Sequence, residues 1–294
     1  MRVTQSMITN NSLRNLSTSY ARLGKYQDQL STGKKINRPS DDPVVAIKGM
    51  FYRTNLTEVE QYKRNLSEVY TWIENSEAGI EHATQVLQRA RELLVQGKNG
   101  TNSNDDREAI AREIEQLKRD LVQIANTQVA GRYIFNGTNI HDAPIVDGNP
   151  PVYSTNHNND DFLIEVSQGV RLKVNINPNN VFSEELFRTM QGIQDKLDGI
   201  NPALDFDTLL NELDQHMDKM LAERSELGAR YNRVELIEAR INQQQVIASR
   251  ILSDNEDADI ERVITDLKTQ ESVHRAALGV GARIIQPTLI DFLR

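Results

Sequence analysis

Between residues 45 and 94 a single stripe of mostly apolar or small side chains advances in alternating steps of three and four. It runs Val45, Lys48, Tyr52, Asn55, Val59, Tyr62, Leu66, Val69, Ile73, Ser76, Ile80, Ala83, Leu87, Ala90, Leu94. That period is helical, and at 1.5 Å per residue it describes a helix of roughly 75 Å, far longer than an ordinary globular helix. Only a partner helix lying along it buries such a seam. A second stripe of comparable length follows later: Leu210, Leu213, Met217, Met220, Arg224, Leu227, Tyr231, Val234, Glu238, Ile241, Gln245, Ala248, Leu252. It amounts to about 65 Å of helix by the same rise, so the two are expected to pack side by side.

Composition narrows the choice of partners. The 294 residues carry 34 Lys and Arg against 42 Asp and Glu, a net charge of −8, so nucleic acid and anionic membrane are poor partners. Hydrophobic residues make up 38% and aromatics 5%, lean for a compact globule and better suited to an elongated or helix-rich chain. No stretch approaches the roughly 20 apolar residues of a spanning helix. The opening MRVTQSMITNNSLRNL has no apolar run behind Arg2, so no cleavable secretory signal is expected. Cysteine is absent, which removes disulfides and thiolate chemistry without fixing the compartment.

Local signals punctuate the seams. Ser40 is placed to cap the first long helix, Asp41 and Asp42 face its positive end, and Pro43 suits its first turn. Gly97 and Gly100 are expected to stop it. Ile110, Ile114, Leu117, Leu121 and Ile124, preceded by Asp105 and Asp106, mark a shorter helix, antiparallel to the first because the connection is short. From Gly131 to about Asn180 the period changes. Apolar residues come in short runs, 133–135, 152–153, 162–166 and 170–176, and Val170, Leu172, Val174 and Ile176 alternate with Arg171, Lys173 and Asn175 as in a half-buried strand. Helix resumes near Ser183 with Leu186, Met190, Ile193 and Leu197 and breaks from Gly199 to Pro202.

Both ends carry short heptads: Leu13, Leu16, Tyr20, Leu23, Gln27, Leu30, and Ile260, Ile264, Leu267, Glu271, His274, Leu278, with Ser253 and Glu256 spaced as a capping box before the second. Each is interrupted by polar residues and marginal alone, so they are expected to bury one another. The fold expected is mainly α: an elongated antiparallel helical bundle or coiled-coil rod formed by the N- and C-terminal segments, with a small β-rich inserted domain. Its divisions are a terminal helical domain (1–40 with 255–294), an α-helical rod (41–130 with 181–254) and the insert (131–180).

Signals for chemistry are weak. His82, His141, His157, His216 and His274 include no pair three or four apart, so no helical metal site of the HExxH kind is expected. Nucleophile elbows and phosphate loops are absent, and Gly279-Val280-Gly281 is a small-residue patch in a helical context. Asp254, Glu256, Asp257 and Asp259 lack the turn glycine and terminal Glu of a calcium loop and read as a charged helix start, while 158–161 reads as a solvated hairpin tip. Lys48, Asn55, Arg224, Glu238 and Gln245 interrupt the seams; they lie at the rim of a wide seam or set register and partner choice. No catalytic, metal or cofactor residue is assigned.

Specific segments carry a resemblance. LSTGKKINRPSDDP, with Asn37, Arg38, Pro39, Asp41, Asp42 and Pro43, resembles the junction between the N-terminal helical segments of the bacterial flagellin family. ELGARYNRVE, with Gly228, Arg230, Asn232 and Arg233, resembles the family's C-terminal rod motif, GRYIFNGT the entry to its outer domain, and QPTLIDFLR its ending. The opening and the form NRPSDDP are more similar to family members that sit between hook and filament than to the bulk filament subunit. The resemblance implies a structural, non-enzymatic subunit exported unfolded through the flagellar type III channel with a cytoplasmic chaperone. It would be extracellular, in a homo-oligomeric ring between an adjacent hook-associated protein and flagellin. It implies terminal helices that pair on assembly, with Leu13, Leu16, Tyr20, Leu23, Leu30, Ile260, Ile264, Leu267, His274, Leu278, Phe292 and Leu293 as their contacts. The alternatives are the bulk filament subunit, a coiled-coil adaptor or chaperone with a β-rich binding head, and an enzyme in the insert using His141, Asp142, His157, Asp160 and Asp161, which lack a nucleophile–base spacing.

Overall fold

A computed structural model describes residues 5–99, 103–201 and 203–285. The chain is mainly helical. In order it forms α1 (Gln5–Thr32), α2 (Pro43–Lys98), α3 (Asn104–Ala125), six short strands, α4 (Pro178–Val181), α5 (Glu184–Leu197), α6 (Phe206–Glu256) and α7 (Ile260–Ile285). The strands are β1 (Gln128–Val129), β2 (Arg132–Tyr133), β3 (Ile145–Val146), β4 (Val152–Tyr153), β5 (Leu163–Ser167) and β6 (Val170–Lys173), paired antiparallel in three two-stranded ladders, each between sequence neighbours. The chain divides into two compact units, Met1–Glu58 with Gln244–Arg294, and Val59–Gln243.

In the second unit α2 and α6 run antiparallel in a fixed register. Tyr70 Oη donates to Glu238 Oε2 at 2.7 Å, Arg224 Nη2 lies 3.2 Å from Glu81 and 3.4 Å from Glu77, and Arg91 Nε lies 2.7 Å from Asp214. Along this register Leu66, Val69, Ile73, Ile80, Ala83, Leu87, Ala90 and Leu94 of α2 and Leu213, Met220, Leu227, Val234 and Ile241 of α6 are buried. The seam interruptions inside this unit therefore take ion pairs or hydrogen bonds at the margin, with Arg224 and Glu238 half-buried. In the first unit Lys48 and Asn55 are exposed. Burial and the Glu238 carboxylate push the Tyr70 phenol well above its ordinary range.

Glycines permit two close approaches. A Cβ on Gly79 would lie 2.5 Å from the ring of Phe135, which stands edge-on to Phe182 at 5.0 Å. Helix α2 ends at Lys98, between the expected Gly97 and Gly100, the latter outside the described residues; a Cβ on Gly97 would lie 2.5 Å from Cδ2 of Leu197 on α5. Gly97 therefore also serves packing in the last turn of α2.

Other expected punctuation also shifts. Asp42, not Ser40, caps α2, its Oδ1 accepting from the amides of Val44 and Val45 at 3.0 and 3.1 Å, with Pro43 as the first helical residue. Helix α3 is capped by Ser103 in a reciprocal capping box with Asp106, so Asp105 and Asp106 lie in its first turn rather than before it. Helix resumes where expected, and Ser183 caps α5. Ser253 and Glu256 are not a capping box: both lie within α6, and the amide of Arg262 is capped by Asp259 at 3.1 Å.

The strand-bearing region begins at Gln128, ahead of the expected Gly131. β1 and β2 join through Ala130 and Gly131, both with positive φ, 51° and 77°, the two-residue geometry that matches strand twist. Strand β3 and helix α4 have no counterpart in the sequence pattern, being too short to show a period. Two asparagines organise the loops. Buried Asn136 donates to Asp142 O at 3.0 Å and accepts from Asn158 N at 2.8 Å; buried Asn175 donates to Asp160 O at 3.0 Å and accepts from Phe162 N at 2.9 Å. Asn175 thus departs from the outward position its alternation suggested, because its side chain supplies partners that the loop backbone lacks. Residues 158–161 are accordingly no hairpin tip: they connect β4 to β5, which pair with different strands.

Candidate functional site

The first unit concentrates the residues singled out for assembly. Helices α1 and α7 pack antiparallel: Ser19 Oγ accepts from Gln270 Nε2 at 2.8 Å and lies 3.3 Å from His274 Nδ1, and a Cβ on Gly281 would meet Ser12 Oγ at 3.7 Å. The rings of Tyr20 and His274 are 5.9 Å apart. Ser19, Gln270 and Ser12 lie outside the apolar heptads, because small and polar residues are what let these backbones approach.

The pair covers only part of each apolar stripe. Leu16, Leu23, Leu267 and His274 are half-buried, while Leu13, Tyr20, Leu30, Ile260, Ile264 and Leu278 are exposed. Phe292 and Leu293 lie outside the described residues. Two helices shield one narrow line apiece, and these stripes are wider than that line. Pairing of α1 with α7 within one copy differs from the expectation that the ends meet only on assembly: what a single copy leaves undone is the cover of their outer faces.

A further apolar face lies on the first turns of α2. Val44, Ile47, Met50 and Phe51 are exposed, Phe51 at 68%. The spacing of Val44, Ile47 and Phe51 is itself helical, one residue out of phase with Val45, Lys48 and Tyr52, so it lies on the face beside the seam. On α6, Val246, Ile247 and Ile251 are likewise exposed. Isolated exposed apolar residues are ordinary, but runs of them along a helix mark interaction surfaces.

The segment 33–42 is tied to the α6–α7 turn. Gly33, with φ of 69°, directs the chain into a short antiparallel bridge of Lys34 with Asp257; the Lys35 amide donates to Glu256 O at 2.7 Å and the Ala258 amide to Gly33 O at 2.8 Å. Buried Glu256 accepts from Arg53 Nη2 at 2.7 Å and lies 3.6 Å from Lys34 Nζ, which donates to Asp257 at 2.6 Å. That hydrogen bond raises the Lys34 pKa and, seen from the other side, holds the Asp257 carboxyl below its ordinary range. Glu256 and Asp257 therefore form a lock rather than the expected charged helix start.

The motif residues 37–43 are part of this connector. Asp41 Oδ2 accepts from the amides of Asn37 and Arg38 at 3.3 and 3.0 Å, and Asn37 Oδ1 accepts from Thr32 Oγ1 at 2.9 Å. Asn37, Arg38 and Pro39, with Arg53 and Glu256, line a cavity of about 130 Å³. In the second unit Arg230 Nη1 donates to Asn175 O at 2.7 Å, fastening α6 to the strand-bearing region, whereas Gly228, Asn232 and Arg233 are exposed.

In the insert, His157 stacks on Tyr153 at 3.8 Å and its Nε2 lies 2.9 Å from Asn179 Oδ1; Asp161 pairs with Lys173, and His141, Asp142 and Asp160 are exposed. These five are not brought together as a nucleophile and base.

Comparison with known proteins accords with this layout. The model of the bacterial flagellin N-terminal helical region matches residues 3–140, and that of the C-terminal helical region matches residues 210–293. Flagellar hook-associated protein 3 of Escherichia coli (strain K12) is 34% identical over 145 residues, 49% of this chain and 46% of that protein. The chain thus spans about half the length of the first curated relatives it matches. Flagellin of Bacillus subtilis (strain 168) is 24% identical over 253 residues, 80% of each chain. The crystal structure of a flagellar hook-associated protein-3 from Legionella pneumophila superposes with a TM-score of 0.63 at 16% identity, covering 70% of this chain and 98% of that one, a likeness of fold. With both helical regions of one family matched at the two ends of the sequence, in the order the long helices require, the chain belongs to the bacterial flagellin family.

Proposed function

We propose that the chain is a structural subunit of the bacterial flagellum at the hook–filament junction. Its first unit, with α1 and α7, makes the contacts to neighbouring copies, to an adjacent hook-associated protein and to flagellin. The observation that carries this reading is the concentration of exposed large apolar residues in the first unit: Tyr20, Val44, Ile47, Phe51, Val246, Val273 and Val280 are each more than half exposed. At about 25 cal/mol per Å² of apolar area removed from water, covering such faces in a neighbour is a sufficient driving force for association. Passage through the flagellar type III channel, chaperone capture before export and an extracellular position belong to the same proposal. Ordering of the terminal helices is completed when neighbours cover them, which delays polymerisation until subunits reach their place. The divisions 1–40 with 255–294, 41–130 with 181–254, and 131–180 are proposed as the axial, rod and outer parts.

The test is incorporation of purified full-length chain, with pull-down against hook-associated and filament proteins. A junction subunit binds both and stops; deleting 1–40 or 255–294 abolishes incorporation while the remainder keeps its helical signal. Loss of that signal together with a collapse in melting temperature on such a truncation refutes the reading.

The similarity to the Bacillus subtilis flagellin across 80% of both chains favours a second reading, the bulk filament subunit. That subunit elongates alone from a seed into long filaments, whereas the junction subunit does not.

A further inference from the structure

In the second unit, α5 and α6 border a cleft of about 640 Å³, within the roughly 300–1,000 Å³ of small-molecule sites. Its most buried lining residues are Thr189, Leu209 and His216. The imidazole of His216 stands out: the residue is 6% exposed, and its ring nitrogens, with no hydrogen-bond partner among the described residues, face the cleft rather than the protein interior. Burial holds its pKa below the ordinary histidine value, with Lys219 acting the same way and Glu185 and Glu212 opposing. A neutral ring offers one N–H and one lone pair, and because neither nitrogen is a buried unpartnered atom, both are open to the cleft.

The charges around it are unevenly paired. Arg188 is held by Glu184 at 3.1 Å and Lys219 lies 3.9 Å from Glu185. Glu212, one helical turn before His216 on the same face, accepts only from Thr189 Oγ1 at 3.0 Å, and Asp195 only from Gln191 Nε2 at 2.7 Å. Among the described residues neither carboxylate has an ion-pair partner. The cleft thus presents a negative charge, an unused imidazole and the apolar side chains of Leu204 and Leu209.

We propose that this cleft binds a primary alkylammonium group, its head between Glu212 and His216 and its aliphatic stem against Leu204 and Leu209. An ammonium donates three hydrogen bonds, enough to use the Glu212 carboxylate and the imidazole lone pair together. The source is a free small amine or a lysine side chain. Protonation of His216 removes the lone pair and places a like charge beside the head, so binding weakens in mild acid.

The full chain is titrated calorimetrically with 1,4-diaminobutane and, separately, with Nα-acetyl-lysine amide. Saturable one-to-one binding is expected, weakened about tenfold in Glu212→Gln, as for loss of a charged hydrogen bond, and unchanged in Glu92→Gln on α2, outside the cleft. Affinity falls as the pH is taken below the ordinary histidine value in the unsubstituted chain and not in His216→Gln, where no imidazole titrates. Binding of the diamine assigns a small-amine site, and binding of the lysine amide alone assigns a side-chain site. No saturation with either ligand, or equal affinity in the two glutamate variants, overturns the proposal. If Glu212→Gln does not fold, the His216 Cε1 proton resonance of the unsubstituted chain decides: it shifts on titration if the site exists, and an unmoved resonance overturns it.

Discussion

Arg53 and Glu256, 203 residues apart in sequence, meet at 2.7 Å, and the glutamate side chain is 6% exposed while the arginine is 63% exposed. The pair joins α2 to the last turn of α6, and the backbone bridge at Lys34 and Asp257 fixes the connector beside it. Arg53→Ala is expected to destabilise the first unit by about 1–2 kcal/mol, the exposed arginine losing little while the buried carboxylate keeps only Lys34. Hydrogen exchange at the Lys35 and Ala258 amides, which donate across the bridge, should quicken. Unchanged protection there would make the pair ornamental.

On α2, Gly79→Ala sets two effects in opposition. Alanine favours helix by roughly 1 kcal/mol over glycine, but its Cβ would stand 2.5 Å from the Phe135 ring, itself buried against Phe182. Overpacking costs about 1–3 kcal/mol, so net destabilisation is expected in urea unfolding, relieved by a second change, Phe135→Leu.

The β1–β2 turn is improvable. Ala130 has a φ of 51°, a region that costs an ordinary residue roughly 1–2 kcal/mol. Ala130→Asn should raise stability by about 0.5–1 kcal/mol, since asparagine tolerates that region and suits this turn. A lower urea midpoint in the variant would contradict this account.

Acid should act through His216. Its folded-state pKa is lowered by burial, so between that value and the ordinary 6.5 the unfolded chain binds more protons than the folded one. Stability is therefore full above pH 6.5 and falls as the pH drops below it; in His216→Gln that slope disappears from the melting temperature. Asp257, held low chiefly by Lys34, loses its contribution only when the pH falls below 3.8.

The outward stripe on α2 separates assembly from stability. Ile47→Ser with Phe51→Ser changes residues 64% and 68% exposed, so the melting temperature should stay within a degree or two. Incorporation into hook–filament assemblies should be lost. Normal incorporation by this variant would remove the stripe from the contact surface.

The long seams were legible because each repeats over many turns: Leu66, Ile73, Ile80 and Leu87 lie on one face whatever surrounds them, and that face is buried. The restart of helix near Ser183 was legible because Leu186, Met190, Ile193 and Leu197 repeat at helical spacing, and that face is buried. The packing role of Gly97 was not, because only the approach of Leu197 from α5 reveals it. The capping assignments for Ser40 and Ser253 failed for a related reason: Asp42 and Asp259 are equally good acceptors, and the path of the chain selects between them. Nor did spacing mark His216 or Glu212, since burial and the absence of a partner are properties of surroundings.

Periodicity alone therefore determined that this chain is built from two long helices, shorter helical ends and a strand-bearing insert, because periods are local and survive without neighbours. The tertiary structure decided what each interruption does: that Arg230 fastens Asn175, that Glu256 is locked by Arg53, and that Phe51 is left uncovered. Those outcomes depend on contacts between residues far apart in sequence, where distance and burial set the energy and no repeat records them.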